Sequence, residues 1–391
     1  MQLNLKSLFY VVIGFVISIT GNATSTYSDQ RITQAMKQFM RNHHVHGGAV
    51  IISRHGKMKT YLFGEAVPAK HIPVTENTIF ELGSITKTFT GTLLAENVVL
   101  GKTNLTDPIQ HYLDKPHSTA LGKMTYLNIA THSSGLPFNA YNLPYNASFS
   151  STHRLRFHHV IQNQRAHYRM ETQMLYSNFG YGILGRALAK KSNTTLPVLM
   201  KRNILSPLNM TTSGLDIHPE YQKYLAQGYN AQGQPVAYQQ SGLLGGAWAM
   251  RASVKDMRSY LRAALGSSTT PPALHRAIRL SQVPHYALVG DSMQLGLGWV
   301  ITPLNHKNSA QQIVRRPEHY HFVPVRGIKI KNPHFNSHAL VGKTGATDGF
   351  RAYIAMIPEK NTGVVIMINQ FFHAGFSLTS MANKMLLEAS V

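Results

Sequence analysis

The stretch Phe80-Glu81-Leu82-Gly83-Ser84-Ile85-Thr86-Lys87-Thr88-Phe89-Thr90 decides how the chain is read. From Ser84 onward Ile85, Phe89 and Leu93 recur every fourth position, the period of an amphipathic helix. Gly83 breaks the chain before it and places Ser84 at the helix start. Residues three apart lie one turn apart on a single helix face, so the Ser84 hydroxyl and the Lys87 ammonium fall side by side. A hydroxyl attacks a carbonyl at neutral pH only when a base or a lowered pKa helps it. A lysine serves if burial and cationic neighbours keep it partly neutral, or if it stabilises the anion of another base. The Ser84 N–H and the positive end of the helix dipole also face a developing oxyanion. Chance alone supplies about one Ser-x-x-Lys in a chain of this length. The weight of this one, from Ser84 to Lys87, comes from what accompanies it.

The 391 residues contain no cysteine. Lys6, an apolar run from Leu8 to Ile19, and small residues in Gly21-Asn22-Ala23 form the layout of a secretory signal over residues 1–23. The run is short for a membrane span; an uncleaved N-terminal anchor is the alternative. The expectation is a periplasmic protein with no stable membrane association after signal cleavage. Without disulfides it must be held by its core, and the chain is long enough for two lobes. The formal net charge of +22 is scattered, not blocked into basic runs. Such a surface aids solubility, or it attracts carboxylate-bearing substrates and anionic envelope polymers. Neither RNA-recognition aromatics nor a zinc-finger spacing is present, so no nucleic-acid partner is expected.

Outward from the Ser84 helix, Ile32, Ala35, Met36, Phe39 and Met40 keep helical spacing. His43, His44 and His46 follow, a solvated turn in preference to a metal site because no carboxylate or cysteine completes a ligand spacing. Gly48–Ser53 and Lys57–Phe63 read as a hairpin joined by Arg54-His55-Gly56. Gly101 closes the Ser84 helix, and Leu105-Thr106-Asp107-Pro108 opens another, capped by Thr106 or Asp107. Helices are expected at Thr125–His132, Arg154–Gln164, Tyr181–Lys191, Leu196–Asn203, Ala252–Ala264 and Leu378–Ala389. Strands are expected at Leu295–Ile301, Ala339–Lys343, Phe350–Ile357 and Gly363–Asn369. Pro303–Ser337, rich in His, Arg and Asn, reads as a surface excursion whose Glu318-His319-Tyr320-His321 is solvated. Strands at both ends around a helical middle imply an α+β fold. An antiparallel sheet forms from the N- and C-terminal segments (24–82 with 286–391), flanked by helices. A large, mainly helical lobe (83–285) is inserted.

Two further pieces carry chemistry. Tyr176-Ser177-Asn178 precedes a glycine-containing break before a new helix, so the Tyr176 phenol can project from a turn. A phenol becomes a usable base only when cations lower its pKa. Lys343-Thr344-Gly345 ends the uncharged run Ala339-Leu340-Val341-Gly342, a buried strand that delivers Lys343 and Thr344 near its end. Gly345 there lets a substrate backbone approach closely. A nucleophile with its lysine, a tyrosine–asparagine turn and a strand-end lysine are the parts a serine acyl-transfer site requires.

With these pieces in place the chain resembles the class C β-lactamases, within the penicillin-recognising serine enzymes. The resemblance spans nearly the whole mature chain. Phe80–Gly91, Asp107-Pro108, Thr131-His132-Ser133-Ser134-Gly135-Leu136-Pro137, Leu295-Gly296-Leu297-Gly298-Trp299 and Ile357-Pro358-Glu359-Lys360 look like family landmarks. The resemblance implies a monomeric enzyme with no metal or organic cofactor, acting on small β-lactam substrates. It implies that Ser84 is acylated, while Lys87 and Tyr176 form the proton-transfer network with Tyr176 as base. Asn178 would bond Lys87 and the substrate amide. Lys343 would keep the Tyr176 phenol acidic, and Thr344 would hold the substrate carboxylate. The N–H groups of Ser84 and Ala346 would form the oxyanion hole, beside Gly345.

Four places depart from the family pattern. Asn139 stands where a glutamine often binds the substrate amide, and Trp248 replaces a pocket-wall tyrosine. Met170-Glu171 replaces a Pro-Gly turn, and Gln370-Phe371-Phe372-His373-Ala374-Gly375 lacks an Asn-Pro-Ala-Arg-like carboxylate-binding segment. These touch substrate choice more than acyl transfer. A D-alanyl-D-alanine carboxypeptidase or an esterase on the same fold is the alternative activity. A non-catalytic envelope-binding module, with salt-sensitive binding that survives Ser84→Ala, is the alternative of another class.

Overall fold

The computed structural model describes residues 20–112, 123–139, 169–238, 241–304, 323–373 and 376–390. The signal region before Thr20, the Arg154–Gln164 helix and the Glu318–His321 cluster lie outside the described residues.

In chain order the elements are α1 (Thr20–Asn42), β1 (Gly47–Arg54), β2 (Lys57–Val67), β3 (Ile72–Pro73), β4 (Ile79–Glu81), α2 (Thr86–Val99), α3 (Tyr126–Ala130), β5 (Gln173–Met174), α4 (Asn178–Lys191), α5 (Leu196–Met200), β6 (Gly228–Tyr229) and β7 (Pro235–Val236). Next come α6 (Gly245–Trp248), β8 (Arg251–Ser253), α7 (Val254–Ala264), α8 (Pro272–Ser281), β9 (Tyr286–Leu288), β10 (Gln294–Leu295), β11 (Val300–Pro303), β12 (Val325–Lys329), β13 (Ala339–Ala346), β14 (Arg351–Ile357), β15 (Thr362–Ile368) and α9 (Phe376–Ala389).

The main sheet runs β3-β2-β1-β15-β14-β13-β11-β10-β9-β12-β5, with every neighbour antiparallel. It joins the N-terminal hairpin to the C-terminal strands through β1 and β15, paired from Gly48↔Ile368 to Ser53↔Gly363. Its central strands are apolar on both faces because helices cover both. Successive side chains alternate between the two faces. Val50, Ile52, Tyr353, Ala355, Val364 and Ile366 meet α1 and α9 on one side. Ile51, Ile354, Met356, Val365 and Met367 meet the core built around α2, α4 and α7 on the other. Helix α2 therefore stands over the inner face of the sheet, and its position is set by the packing of Phe89 and Leu93.

The structure corrects several expected boundaries. Leu295–Ile301 is not one strand. It divides into β10 and β11 around Gly298, whose φ of +88° turns the chain and where a Cβ would strike the Lys87 carbonyl at 2.2 Å. Ser84 lies in a single 3-10 turn, Gly83–Ile85, ahead of the α-helix that begins at Thr86. Asp107 does not cap a following helix. Its carboxylate accepts from the Asn104 N–H (2.7 Å) and the Thr103 hydroxyl (2.9 Å), closing the preceding turn, and a 3-10 turn over Ile109–Tyr112 follows. Leu196–Asn203 is α-helical only to Met200 and then widens into a π turn, Lys201–Leu205. Ala252 belongs to β8, which pairs with β4, and helix α7 starts at Val254 with the Ser253 hydroxyl accepting the Asp256 N–H. Here strand pairing of Arg251–Ser253 overrides a helical pattern that runs two residues too far.

Candidate active site

The site is assembled where α2, the turn before α4, α6 and β13 converge. Thr86 ties the start of α2 down. Its hydroxyl donates to the Gly83 carbonyl (2.6 Å) and accepts the Met250 N–H (2.9 Å). Gly83 has φ +50°, and a Cβ there would meet Ala346 N at 2.5 Å and Ala346 O at 2.4 Å. Only a glycine lets the Ser84 turn approach the end of β13 this closely. Strand β11 pairs with β13 from Ala339 to Gly342, and beyond that Lys343–Ala346 run past the Ser84 turn. A Cβ on Gly345 would strike the Leu82 carbonyl at 1.9 Å, so its glycine serves packing against the Ser84 turn.

Lys87 is fully buried. Its Nζ lies 3.0 Å from Ser84 Oγ, 2.8 Å from Asn178 Oδ1 and 2.8 Å from the Ala247 carbonyl. Burial, and then the nearby Lys343 ammonium, hold it well below the ordinary lysine range. The three neighbours have a consequence for protonation. Asn178 Oδ1 and Ala247 O can only accept, whereas a hydroxyl can donate. A neutral amine would satisfy all three by donating twice and turning its lone pair to the Ser84 O–H.

Tyr176 is buried beside the same amine. Lys87 Nζ lies 4.7 Å and Lys343 Nζ 5.2 Å from its ring centroid. Cations over an aromatic face are attracted by the ring quadrupole. Lys343, itself buried, donates to the Thr344 carbonyl at 3.1 Å. The turn bearing Tyr176 is fastened by the Ser177 hydroxyl, which accepts the Gly180 N–H (2.8 Å) at the α4 N-terminus and donates to Pro137 O (2.6 Å). The Asn178 N–H donates to Phe138 O (2.8 Å), and Asn178 Nδ2 reaches Asn139 Oδ1 at 3.5 Å.

Ser84, Lys87, Tyr176, Asn178 and Lys343 are thus brought together, with Ala346 and Gly345 against the Ser84 turn and Asn139 joined through Asn178. Thr344 sits on the same strand, opposite Tyr353. The Ala247 carbonyl and His132 belong to this site and were not singled out from sequence. A backbone acceptor leaves no mark on residue identity. His132 stands inside Thr131–Pro137, and that context was its only signal. Trp248 is buried in the core beside Ala247. Glu171, at φ +63°, accepts from Asn128 Nδ2 (3.0 Å) and pairs with Lys329 (3.3 Å). Gln370 spends its amide on the carbonyls of Asn230 and Phe371. Of the N-terminal histidines, His43 stacks on Phe372 and His46 packs on Tyr229.

A family profile described as Beta-lactamase matches residues 32–380. A beta-lactamase from Escherichia coli (strain K12) is 29% identical over 360 residues, covering 90% of this chain and 92% of that protein. A beta-lactamase from Yersinia enterocolitica is 30% identical over 349 residues, 87% of this chain and 86% of that one. Among solved structures, a beta-lactamase/D-alanine carboxypeptidase from Pseudomonas syringae superposes with a TM-score of 0.83 at 25% identity, over 92% of this chain and 99% of that one. A D-alanine carboxypeptidase AmpC from Burkholderia cenocepacia gives 0.83 at 25% identity, over 93% and 99%.

Proposed function

The chain belongs to the beta-lactamase family, and from that premise we propose that it hydrolyses β-lactam antibiotics through an acyl-enzyme on Ser84, as a class C type serine β-lactamase. The observation that carries the reading is the buried Lys87, 3.0 Å from Ser84 Oγ and held below its ordinary range.

In the acylation step Ser84 Oγ bonds to the lactam carbonyl carbon, and its proton passes to the Lys87–Tyr176 pair, with Lys87 Nζ first in line. The oxyanion is met by the N–H groups of Ser84 and Ala346, a contribution of about 3 kcal/mol per donor at acyl-transfer sites. The lactam C–N bond then breaks, and the proton moves from the pair to the departing nitrogen. For deacylation a water gives its proton to the same pair and its oxygen to the ester carbon, restoring Ser84–OH. Lys343 stands beside the Tyr176 ring and Thr344 takes the substrate carboxylate. Asn178 and Asn139 contact the substrate amide.

The protein acts in the periplasm as a monomer after removal of residues 1–23. No helix among the described residues is long and apolar enough to cross a membrane. D-alanyl-D-alanine carboxypeptidase activity is the second reading, favoured by the likeness to a beta-lactamase/D-alanine carboxypeptidase and to a D-alanine carboxypeptidase AmpC. Hydrolysis of a chromogenic cephalosporin by wild type and Ser84→Ala tests the first reading. Time-resolved mass spectrometry separates the two. A persistent adduct on Ser84 together with turnover of D-Ala-D-Ala peptides removes the β-lactamase assignment.

A further inference from the structure

Tyr176 is held on both sides by one residue. The Leu175 N–H donates to the His132 carbonyl at 2.9 Å, and the Ser177 N–H donates to His132 Nδ1 at 3.1 Å. The backbone groups before and after Tyr176 are therefore tied to the main chain and the ring of a single histidine. That ring also lies 4.2 Å from the Tyr176 ring, tilted by 33°, and 5.1 Å from Tyr181. His132 is buried and adopts φ +57°, a left-handed conformation just after α3. Histidine, asparagine and aspartate enter that region more readily than other side chains. A ring nitrogen that accepts an amide N–H must present a lone pair, so His132 carries its proton on Nε2.

From this bracket we infer that His132 is a positioning residue for the proposed acyl transfer. It fixes the Tyr176 ring, 4.7 Å from Lys87 Nζ and 5.2 Å from Lys343 Nζ, through the Nδ1 acceptor, the ring contact adding to the packing. The inference rests on the function proposed above. Catalytic groups shifted by about 1 Å can lose roughly 10²-fold in rate, and a backbone free on one side of Tyr176 permits such a shift.

Two variants separate acceptor from ring. His132→Asn puts an amide oxygen at the same bond distance from the backbone as Nδ1, suits the left-handed φ, and removes the ring. His132→Phe keeps an aromatic ring and removes the acceptor. With a chromogenic cephalosporin, His132→Asn is expected to keep kcat within about threefold of wild type. His132→Phe is expected to lose about tenfold or more in kcat, with KM changed much less. If His132→Phe does not fold, His132→Gly, which meets the left-handed backbone without strain, takes its place with the same expectation. An active wild type with unchanged kcat in the acceptor-less variant, or an equal fall in His132→Asn, overturns the inference. A wild type without turnover instead sinks the proposed function, so the two failures are told apart.

Discussion

Lys343 lowers the proton affinity of Lys87, and the two amines lie 5.2 and 4.7 Å from the centroid of the same phenol ring, Tyr176. Lys87 Nζ lies 3.0 Å from Ser84 Oγ, and burial first and then the Lys343 charge disfavour its protonated form. The second lysine thus acts on the first while lying against the tyrosine ring.

Replacing Lys343 by methionine should push the pH dependence of kcat/KM toward the alkaline side. Removing a neighbouring positive charge lets Lys87 hold its proton more firmly, so at any given pH less of it is free to accept from Ser84. A loss of about 10²-fold at neutral pH, partly recovered on raising the pH, is expected. A rate profile against pH checks this, and an unmoved acid limb argues against the coupling.

Gly83→Ala should injure catalysis more than substrate binding. Its methyl group would lie 2.5 Å from Ala346 N, so the turn and the strand end must separate and one oxyanion donor is displaced. The expected outcome is a fall in kcat of about 10²-fold with little change in KM, measured by steady-state kinetics.

Glu81→Ala should destabilise the fold. The Arg251 side chain is 1% exposed and its Nη2 lies 3.1 Å from Glu81 Oε1. Its Nη1 already serves the carbonyls of Leu215 and Ala249. Removing one member of a buried ion pair leaves the other charge uncompensated, at a cost of about 3–5 kcal/mol. Denaturant unfolding measures it, and Glu81→Gln should lose less because it still offers an oxygen.

His285 should make the fold sensitive to mild acid. Burial, and then Lys329, lower its pKa from 6.5 to about 4. Its Nε2 is buried without a hydrogen-bond partner among the described residues. Between pH 6.5 and about 4 the unfolded chain binds the proton and the folded chain does not. Stability is therefore complete above pH 6.5 and falls through that window, by about 3 kcal/mol at most. Thermal midpoints of wild type and His285→Gln, followed from neutral pH to pH 4, should diverge as the pH drops. Parallel curves would count against the assignment.

The strands most legible in the sequence were those buried on both faces. Ala339–Ala346, Arg351–Ile357 and Thr362–Ile368 are dense apolar runs because helices cover them above and below. Short edge strands such as Gln173–Met174, and the break inside Leu295–Ile301, left no comparable pattern. Met174 pairs with Val325, far away in the chain, and Leu295 pairs with Tyr286 and Val300 through short turns that break the apolar run.

Residue identity and spacing alone picked out the Ser84–Lys87 pair, the tyrosine–asparagine turn and the strand-end lysine as candidates, and determined an α+β order of elements. Side-chain type and local period are properties of short segments, so a linear reading reaches them. Only the tertiary structure decided that Lys87 is stripped of water and bonded to the Ala247 carbonyl, that Gly83 abuts Ala346, and that His132 brackets Tyr176. Burial and main-chain hydrogen bonds arise from the meeting of distant segments, and a carbonyl or an amide looks the same in every residue that bears it.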